Sequence, residues 1–338
     1  MNMQPFDHNS ALARAATPSM KYKGDEPFRD WQSKARAKLL QLLGIDRIKR
    51  AVDTKFTIEY INEADEYTEY RFTLEPEVGY NFPAVMRVPK GACGKLPVMI
   101  CLQGHSTGMH ISLGKPKYER DHASIAGGDR DFCVRAVKEG YIAVAVEQRN
   151  FGECGGAGEK GPACLYSTMV AFMLGRTTIG ERVVDVSTVI DALIENFDFV
   201  DAERINLMGN SGGGTATFYA AAIDERIKIA VPSCAYCTYK DSIAAMPHCS
   251  CNFIPGILDY FEMEDISGLI APRKLIVVNG AKDDIFPEHG VKEAYEVTKR
   301  LYSASGAPEN CRLVTGPEGH RFYADAAWPV IHEFGDLN

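Results

Sequence analysis

The sequence predicts an α/β fold: a mostly parallel central sheet with helices on both faces, preceded by antiparallel strands and an N-terminal helical extension. Three observations predict it. From residue 96 onward, short continuous apolar runs alternate with helical patterns, and a strand apolar on both sides is one covered on both faces. Before residue 96, apolar and polar residues alternate with period two, as in antiparallel strands with one face in water. The 338 residues are 46% hydrophobic and 24% charged, a balance that builds a packed core and excludes a disordered chain.

The elements follow in order. Residues 1–28 have mixed polarity and no clear period, and read as an arm. A helix comes next: Asp30 can cap it, Trp31, Ala35, Leu39, Leu40 and Leu43 share a face, and Gly44 ends it. Arm and helix make a first unit, residues 1–48, and residues 49–338 make the main domain. Phe56, Ile58 and Tyr60, then Tyr70, Phe72 and Leu74, then Ala84, Met86 and Val88 mark three alternating strands. The buried runs are Pro97–Leu102, Tyr141–Val146, Ile205–Met208, Ile227–Val231, Leu275–Val278 and Leu313–Val314. Helical patterns lie near 129–139, 181–197, 212–223, 288–303 and 323–335. In 181–197, Val183, Val186, Ile190, Leu193, Ile194 and Phe197 share a face. No repeat or low-complexity linker interrupts the chain.

The net charge of −8 argues against nucleic acid as a partner, because affinity for phosphate needs clustered Lys and Arg. No apolar run approaches the roughly 18 residues of a membrane helix, and the N-terminus lacks the apolar stretch of a signal peptide. The expected location is therefore cytoplasmic. There, ten cysteines read as free thiols rather than a disulfide frame. A homo-oligomer is compatible with the sequence, which does not specify one.

One motif carries chemistry. A buried run ends at Met208, Gly209-Asn210-Ser211-Gly212-Gly213 matches G-x-S-x-G, and a small-residue helix follows at once. This is the strand–turn–helix setting of a nucleophile elbow. The bend holds its central residue in a strained conformation and leaves no room for side chains two positions away, which explains Gly209 and Gly213. A Gly-rich phosphate loop is the rival reading, but neither G-x-G-x-x-G nor Gly-Lys-Ser/Thr is present.

A serine hydroxyl needs a base, and the base needs an acid to orient it; after this elbow the acid comes before the histidine. Four histidines follow Ser211: 248, 289, 320 and 332. His320, in Gly-Pro-Glu-Gly-His after the last strand, is the expected base. His289 and His332 lie in helical patterns and read as surface residues, and His248 precedes the acid. The acid should follow the Leu275–Val278 strand, where Asp283 and Asp284 both qualify. Asp283 is preferred because it closes a G-x-x-D turn from Gly280. Two N–H groups should hold the developing oxyanion: that of Gly212, and that of His105 in the loop Gln103-Gly104-His105-Ser106-Thr107-Gly108.

The ordered set Q-G-H-S-T-G, Q-R-N-F-G-E, G-N-S-G-G-G, G-A-K-D-D-I-F-P and E-G-H resembles the α/β-hydrolase superfamily from about residue 50 to 335, and within it bacterial acetyl xylan esterase-like and dienelactone-hydrolase-like serine esterases. The resemblance implies a Ser211–Asp283–His320 triad and ester hydrolysis through an acyl-enzyme without a cofactor. It further implies a small-molecule or saccharide ester as substrate, short acyl and above all acetyl, and a structural role for Gln148–Gly152. Peptidase, amidase or lactone hydrolase activity on the same triad, and a non-catalytic binding protein of the same fold, are the alternatives. Gln103-Gly104 stands where the family commonly has His-Gly, which places Gln103 among the expected substrate-binding residues. The Cys-rich segment 233–262 lies where such folds carry a lid or pocket wall, with Tyr236, Phe253 and Tyr260 as candidate linings. Within it, Cys234, Cys237, His248, Cys249 and Cys251 include a C-x-x-C pair. The second half is not a usual zinc spacing, so buried thiols and no metal are expected.

Overall fold

The structure is a computed structural model and describes residues 3–51, 55–91 and 93–335. Met1, Asn2 and residues 336–338, at the outer ends of the two units expected above, lie outside them. The alternating stretches form β1 (Phe56–Glu63), β2 (Tyr67–Glu77) and β3 (Tyr80–Pro89). The buried runs form β4 (Leu96–Leu102), β5 (Ile142–Val146), β6 (Val200–Asn210), β7 (Ile227–Ser233), β8 (Lys274–Gly280) and β9 (Cys311–Gly316). All belong to one nine-stranded sheet of order β1-β2-β3-β5-β4-β6-β7-β8-β9. β1, β2 and β3 pair antiparallel, β3 joins β5 antiparallel, and β5 through β9 run parallel. The helices are α1 (Pro5–Ala15), α2 (Phe28–Leu43), α3 (Glu119–His122), α4 (Phe132–Lys138), α5 (Cys164–Met173), α6 (Thr178–Asn196), α7 (Gly212–Ile223), α8 (Met263–Ser267), α9 (Glu288–Ala304) and α10 (Ala324–Gly335).

The continuous apolar runs divide between two cores with the strand period. Val98, Ile100 and Leu102 of β4 pack with residues of α2, α6 and α7, while Met99 and Cys101 pack with those of α4 and α10. Ile276 and Val278 of β8 likewise face Trp328 and Ile331, while Leu275 and Val277 face the other way. Each such aliphatic side chain stabilises the fold by about 1.5–3 kcal/mol. This two-sided covering is the α/β-hydrolase architecture, and it brings the carboxyl ends of β4 to β9 to one edge.

Some expectations are corrected. α2 starts at Phe28, so Asp30 sits in its first turn instead of capping it, and Leu40 is only half-buried. Gly44 does end α2, in the left-handed conformation at φ 68°. Ile194 is exposed and Phe197 lies just past α6. In β1, the edge strand, the register shifts between Ile58 and Tyr60, and both side chains are exposed. The arm contains α1, tied down by the Ser10 hydroxyl donating to Ala244 O at 2.7 Å. The unexpected α5 leaves Leu165, Tyr166, Met169, Val170, Met173 and Leu174 exposed. No helix among the described residues is long and apolar enough to cross a membrane.

Candidate active site

β6 runs into α7 through Ser211, whose backbone stands at φ 54°, ψ −124°. That conformation costs a non-glycine residue about 1–3 kcal/mol and persists only where neighbours enforce it. Here the Ser211 N–H donates to Ser233 O at 2.8 Å, and Thr215 N–H donates to Ser211 O at 2.8 Å, so the bend is pinned from both sides. A Cβ on Gly209 would lie 2.5 Å from Gly213 O, and one on Gly213 would run into Leu102 O. Neither position admits a side chain.

Ser211 lines a cleft of about 420 Å³ with His105, Arg130, His248, Phe286 and His320. His320 follows β9, and its Nδ1 lies 2.9 Å from Asp283 Oδ2 after β8. The other carboxylate oxygen, Oδ1, accepts the N–H groups of Ile285 at 2.9 Å and Phe286 at 3.1 Å. Burial alone would raise the Asp283 pKa. The hydrogen bond and charge of His320 and the two N–H groups outweigh it and hold the carboxyl below the usual range. Asp284 is exposed, so Asp283 is the acid the geometry pairs with His320. The Phe286 ring stacks on the imidazole at 6.0 Å and limits its rotation. Among the described residues, Ser211 Oγ and His320 Nε2 make no hydrogen bond. In free enzymes such contacts often tighten only once substrate is bound.

The loop after β4 presses on the elbow. A Cβ on Gly104 would lie 3.0 Å from Ser211 Cβ, and one on Gly212 would lie 2.7 Å from His105 Cε1. Among the described residues the His105 and Gly212 N–H groups have no acceptor, which leaves two donors unspent beside the serine. A hydroxyl, an imidazole with a bound carboxylate and two free N–H groups are what nucleophilic acyl transfer needs.

Residues 11–317 match the Abhydrolase family. The chain belongs to that family. Its relatives include "Putative hydrolase YtaP" of Bacillus subtilis, 26% identical over 86% of this chain and 94% of that one. A second is the "Putative carboxymethylenebutenolidase" of Salmonella typhimurium, 26% identical over 77% of this chain and 80% of its own. Among solved structures, this abhydrolase superposes on a "putative acetyl xylan esterase" of Bacteroides fragilis with TM-score 0.83 at 18% identity, covering 98% of this chain and 95% of that one. A glucuronoyl esterase from Solibacter usitatus gives TM-score 0.67 at 15% identity, over 94% and 96% of the two chains.

The expected substrate-binding residues lie elsewhere. Gln103 is buried and structural: its Nε2 donates to Ser112 Oγ at 2.7 Å and Arg130 O at 2.6 Å, and its own carbonyl accepts from Gln148. Tyr236 is in the core, its hydroxyl 2.6 Å from Thr298 Oγ1 and its ring against Phe218. Phe253 borders a depression beside α1, and Tyr260 lies under Lys38 at the rim of a groove beside α2. Segment 233–262 does wall the cleft, but through Pro247, His248, Cys249 and Asn252. Aromatic character in a segment says that side chains are large, not which wall they meet.

Two contributors, Arg130 and Glu147, escaped the sequence, and a third, His248, is marked there only as out of order for the base and as a member of the Cys-rich set. Arg130, in the turn before α4, brings a guanidinium to the cleft, its pKa lowered by burial. His248 packs edge-on to Phe286. Burial, then the neighbouring His105 and His320, push its pKa down to about 4, so it is neutral at neutral pH. Glu147, just after β5, accepts the N–H groups of Met109 at 3.0 Å and Glu153 at 3.2 Å and so joins the loop that carries His105 to the segment after β5. Burial lifts its pKa to about 7 against the pull of those N–H groups. The Gln148–Gly152 segment is anchored by Arg149, which grips buried Asp185 through two 2.9 Å contacts.

The C-x-x-C pair does not meet the second pair. Cys234 Sγ donates to Arg321 O at 3.2 Å, Cys237 Sγ to Pro287 O at 3.8 Å, and His248 turns to Ser242. Cys234 lies near Asp283 and His320, but burial first and then the Asp283 charge push its thiol up to about 12. It remains a neutral neighbour. Among the described residues two groups have ligand atoms within 4.8 Å of one another: Cys234, Asp283 and His320, which is the base with its acid and this thiol, and His105, Cys164, Cys249 and Cys251.

Proposed function

We propose that this α/β hydrolase cleaves carboxylic esters, short-chain acyl esters above all, with Ser211 as nucleophile, His320 as base and Asp283 as its orienting acid. The observation that carries the reading is the strained serine at φ 54°, facing the same cleft as a hydrogen-bonded His320–Asp283 pair. Ser211 Oγ attacks the ester carbonyl while His320 Nε2 takes its proton. Asp283 holds the opposite nitrogen and stabilises the imidazolium. The N–H groups of Gly212 and His105 receive the oxyanion. His320 returns the proton to the departing alcohol, then activates the water that releases the acid.

The cleft of about 420 Å³, walled by Pro162, Pro247, His248 and Phe286, has room for an acyl group and part of its alcohol, and the short-acyl preference rests on the resemblance to acetyl esterases. The saccharide side is suggested by the names of the similar structures, an acetyl xylan esterase and glucuronoyl esterases. Initial rates on aryl acetate, butyrate and octanoate, acetylated xylose, an aminoacyl amide and a dienelactone test the reading. Acetate should exceed octanoate by about tenfold or more in kcat/KM. Rates that climb with acyl length, or a preference for the amide, would overturn it.

The Asp283 pairing also predicts a pH effect. Because its native pKa is lowered, its contribution to stability is complete above the ordinary carboxylate value of about 3.9 and is lost as pH falls through the lower native value. Thermal melts from pH 7 to pH 3 should show the gap in Tm between wild type and Asp283→Asn closing at the acid end. A gap that stays undiminished from pH 5 to pH 3 would contradict the assignment.

A further inference from the structure

We propose that His105, Cys164, Cys249 and Cys251 bind one zinc ion, as a structural site that ties the loop after β4 to the cleft wall. Four ligand atoms converge there from three separate segments. His105 Nε2 lies 3.1 Å from Cys251 Sγ, and Cys251 Sγ lies 3.4 Å from Cys249 Sγ. Tetrahedral zinc, with bonds of about 2.3 Å to sulfur and about 2.0 Å to nitrogen, sets ligand atoms roughly 3.5–3.8 Å apart, so these two pairs need a few tenths of an ångström of expansion to admit the ion. Three thiolates and an imidazole are a soft set that selects zinc over magnesium or calcium. They fill all four positions, which makes the site a closed one.

An independent observation is Arg182. It is buried, its Nη1 reaches Cys251 Sγ at 3.6 Å and its Nη2 reaches Cys164 Sγ at 3.9 Å. Among the described residues its one oxygen acceptor is the Arg149 carbonyl at 2.9 Å, and its Nε is unpartnered. Among the described residues no carboxylate forms an ion pair with it. A buried cation without a carboxylate partner is costly unless other negative charge lies beside it. Zinc binding removes one proton from each of the three thiols and releases it to water. Three thiolates, a dication and a neutral imidazole leave one net negative charge, which Arg182 balances. Phe151 completes the surroundings, lying under the guanidinium at 4.5 Å and beside the His105 ring at 5.4 Å.

The site would hold the start of α5 through Cys164 and the cleft wall through Cys249 and Cys251. It would fix His105 over Gly212, where a Cβ would touch the imidazole. Ligation through Nε2 therefore positions the backbone N–H assigned above to the oxyanion. Metal binding itself does not depend on that assignment, because its readouts are composition and spectrum rather than hydrolysis.

The full chain, produced with zinc and kept reduced, should carry one zinc per chain by mass spectrometry of the metal. Replacement of zinc by Co²⁺ should give thiolate-to-cobalt charge-transfer bands and the intense visible bands of a tetrahedral ion. Cys164→Ser and Cys251→Ser should lose the metal, and Cys133→Ser and Cys311→Ser should keep it. Should the first two fail to fold, the cobalt spectrum of the wild-type chain decides alone. Zinc-replete protein without stoichiometric metal, a cobalt spectrum of octahedral type, or a Cys249–Cys251 disulfide in the zinc-replete protein would each overturn the proposal.

Discussion

Replacement of Ser211 by alanine is expected to lower kcat on an aryl acetate at least roughly a thousandfold while leaving the fold intact. The loss is large because the three groups act as a unit. Without the hydroxyl, His320 has no proton to take and no acyl-enzyme forms. What remains is the binding and the pull of the two N–H groups on the carbonyl. The fold should survive because alanine keeps the Cβ and tolerates φ 54° no worse than serine, and the bend is held by backbone bonds at Ser211 N and O. Thermal melts run beside the assay separate the two effects. Labelling with a fluorophosphonate gives a second readout, with one adduct on the wild-type chain at Ser211 and none on the variant. Equal rates in the two proteins, or an adduct on another residue, would remove Ser211 from the chemistry and favour a binding protein of the same fold.

Features set by local rules were legible in the sequence. β4 to β9 showed as continuous apolar runs because two cores claim alternate residues of each strand, as Ile100 and Cys101 illustrate. α7 runs over Gly212–Ile223, where its small residues and the preceding elbow place it. Features set by what arrives from elsewhere were not legible. In α5 the large apolar residues lie on the exposed face and the buried positions are the small Cys164, Thr168 and Ala171, so the hydrophobic pattern points away from the contact the helix makes. Tyr236 and Phe253 belong to one segment, yet one is in the core and the other at the surface. The zinc ligands proposed above escape a spacing rule because His105, Cys164 and the Cys249–Cys251 pair come from three loops. Spacing within 234–251 pointed to Cys234 and Cys237, which the fold carries to β8 and α9 instead.

Asp283 and Asp284 are adjacent carboxylates that sequence could rank but not separate, and their amide variants should differ by about four orders of magnitude. Asp283→Asn is expected to lower kcat/KM about 10⁴-fold, or roughly 5.5 kcal/mol of transition-state stabilisation. The reason lies in the donors around it. The Ile285 and Phe286 N–H groups point at Oδ1, so an asparagine will place its carbonyl oxygen there. The amide nitrogen then faces His320 Nδ1 and donates to it. That forces the imidazole proton onto Nε2, the nitrogen that must accept the serine proton. The ring stays in place against Phe286 but in the wrong tautomer. Asp284 is exposed and makes no such contact, so Asp284→Asn should change kcat/KM by no more than about twofold. The two variants, assayed on the same ester with their melting temperatures recorded, form an internally controlled pair. A greater loss in Asp284→Asn would transfer the acid to the neighbouring position and show that the hydrogen bond between Asp283 and His320 is not the one that orients the base.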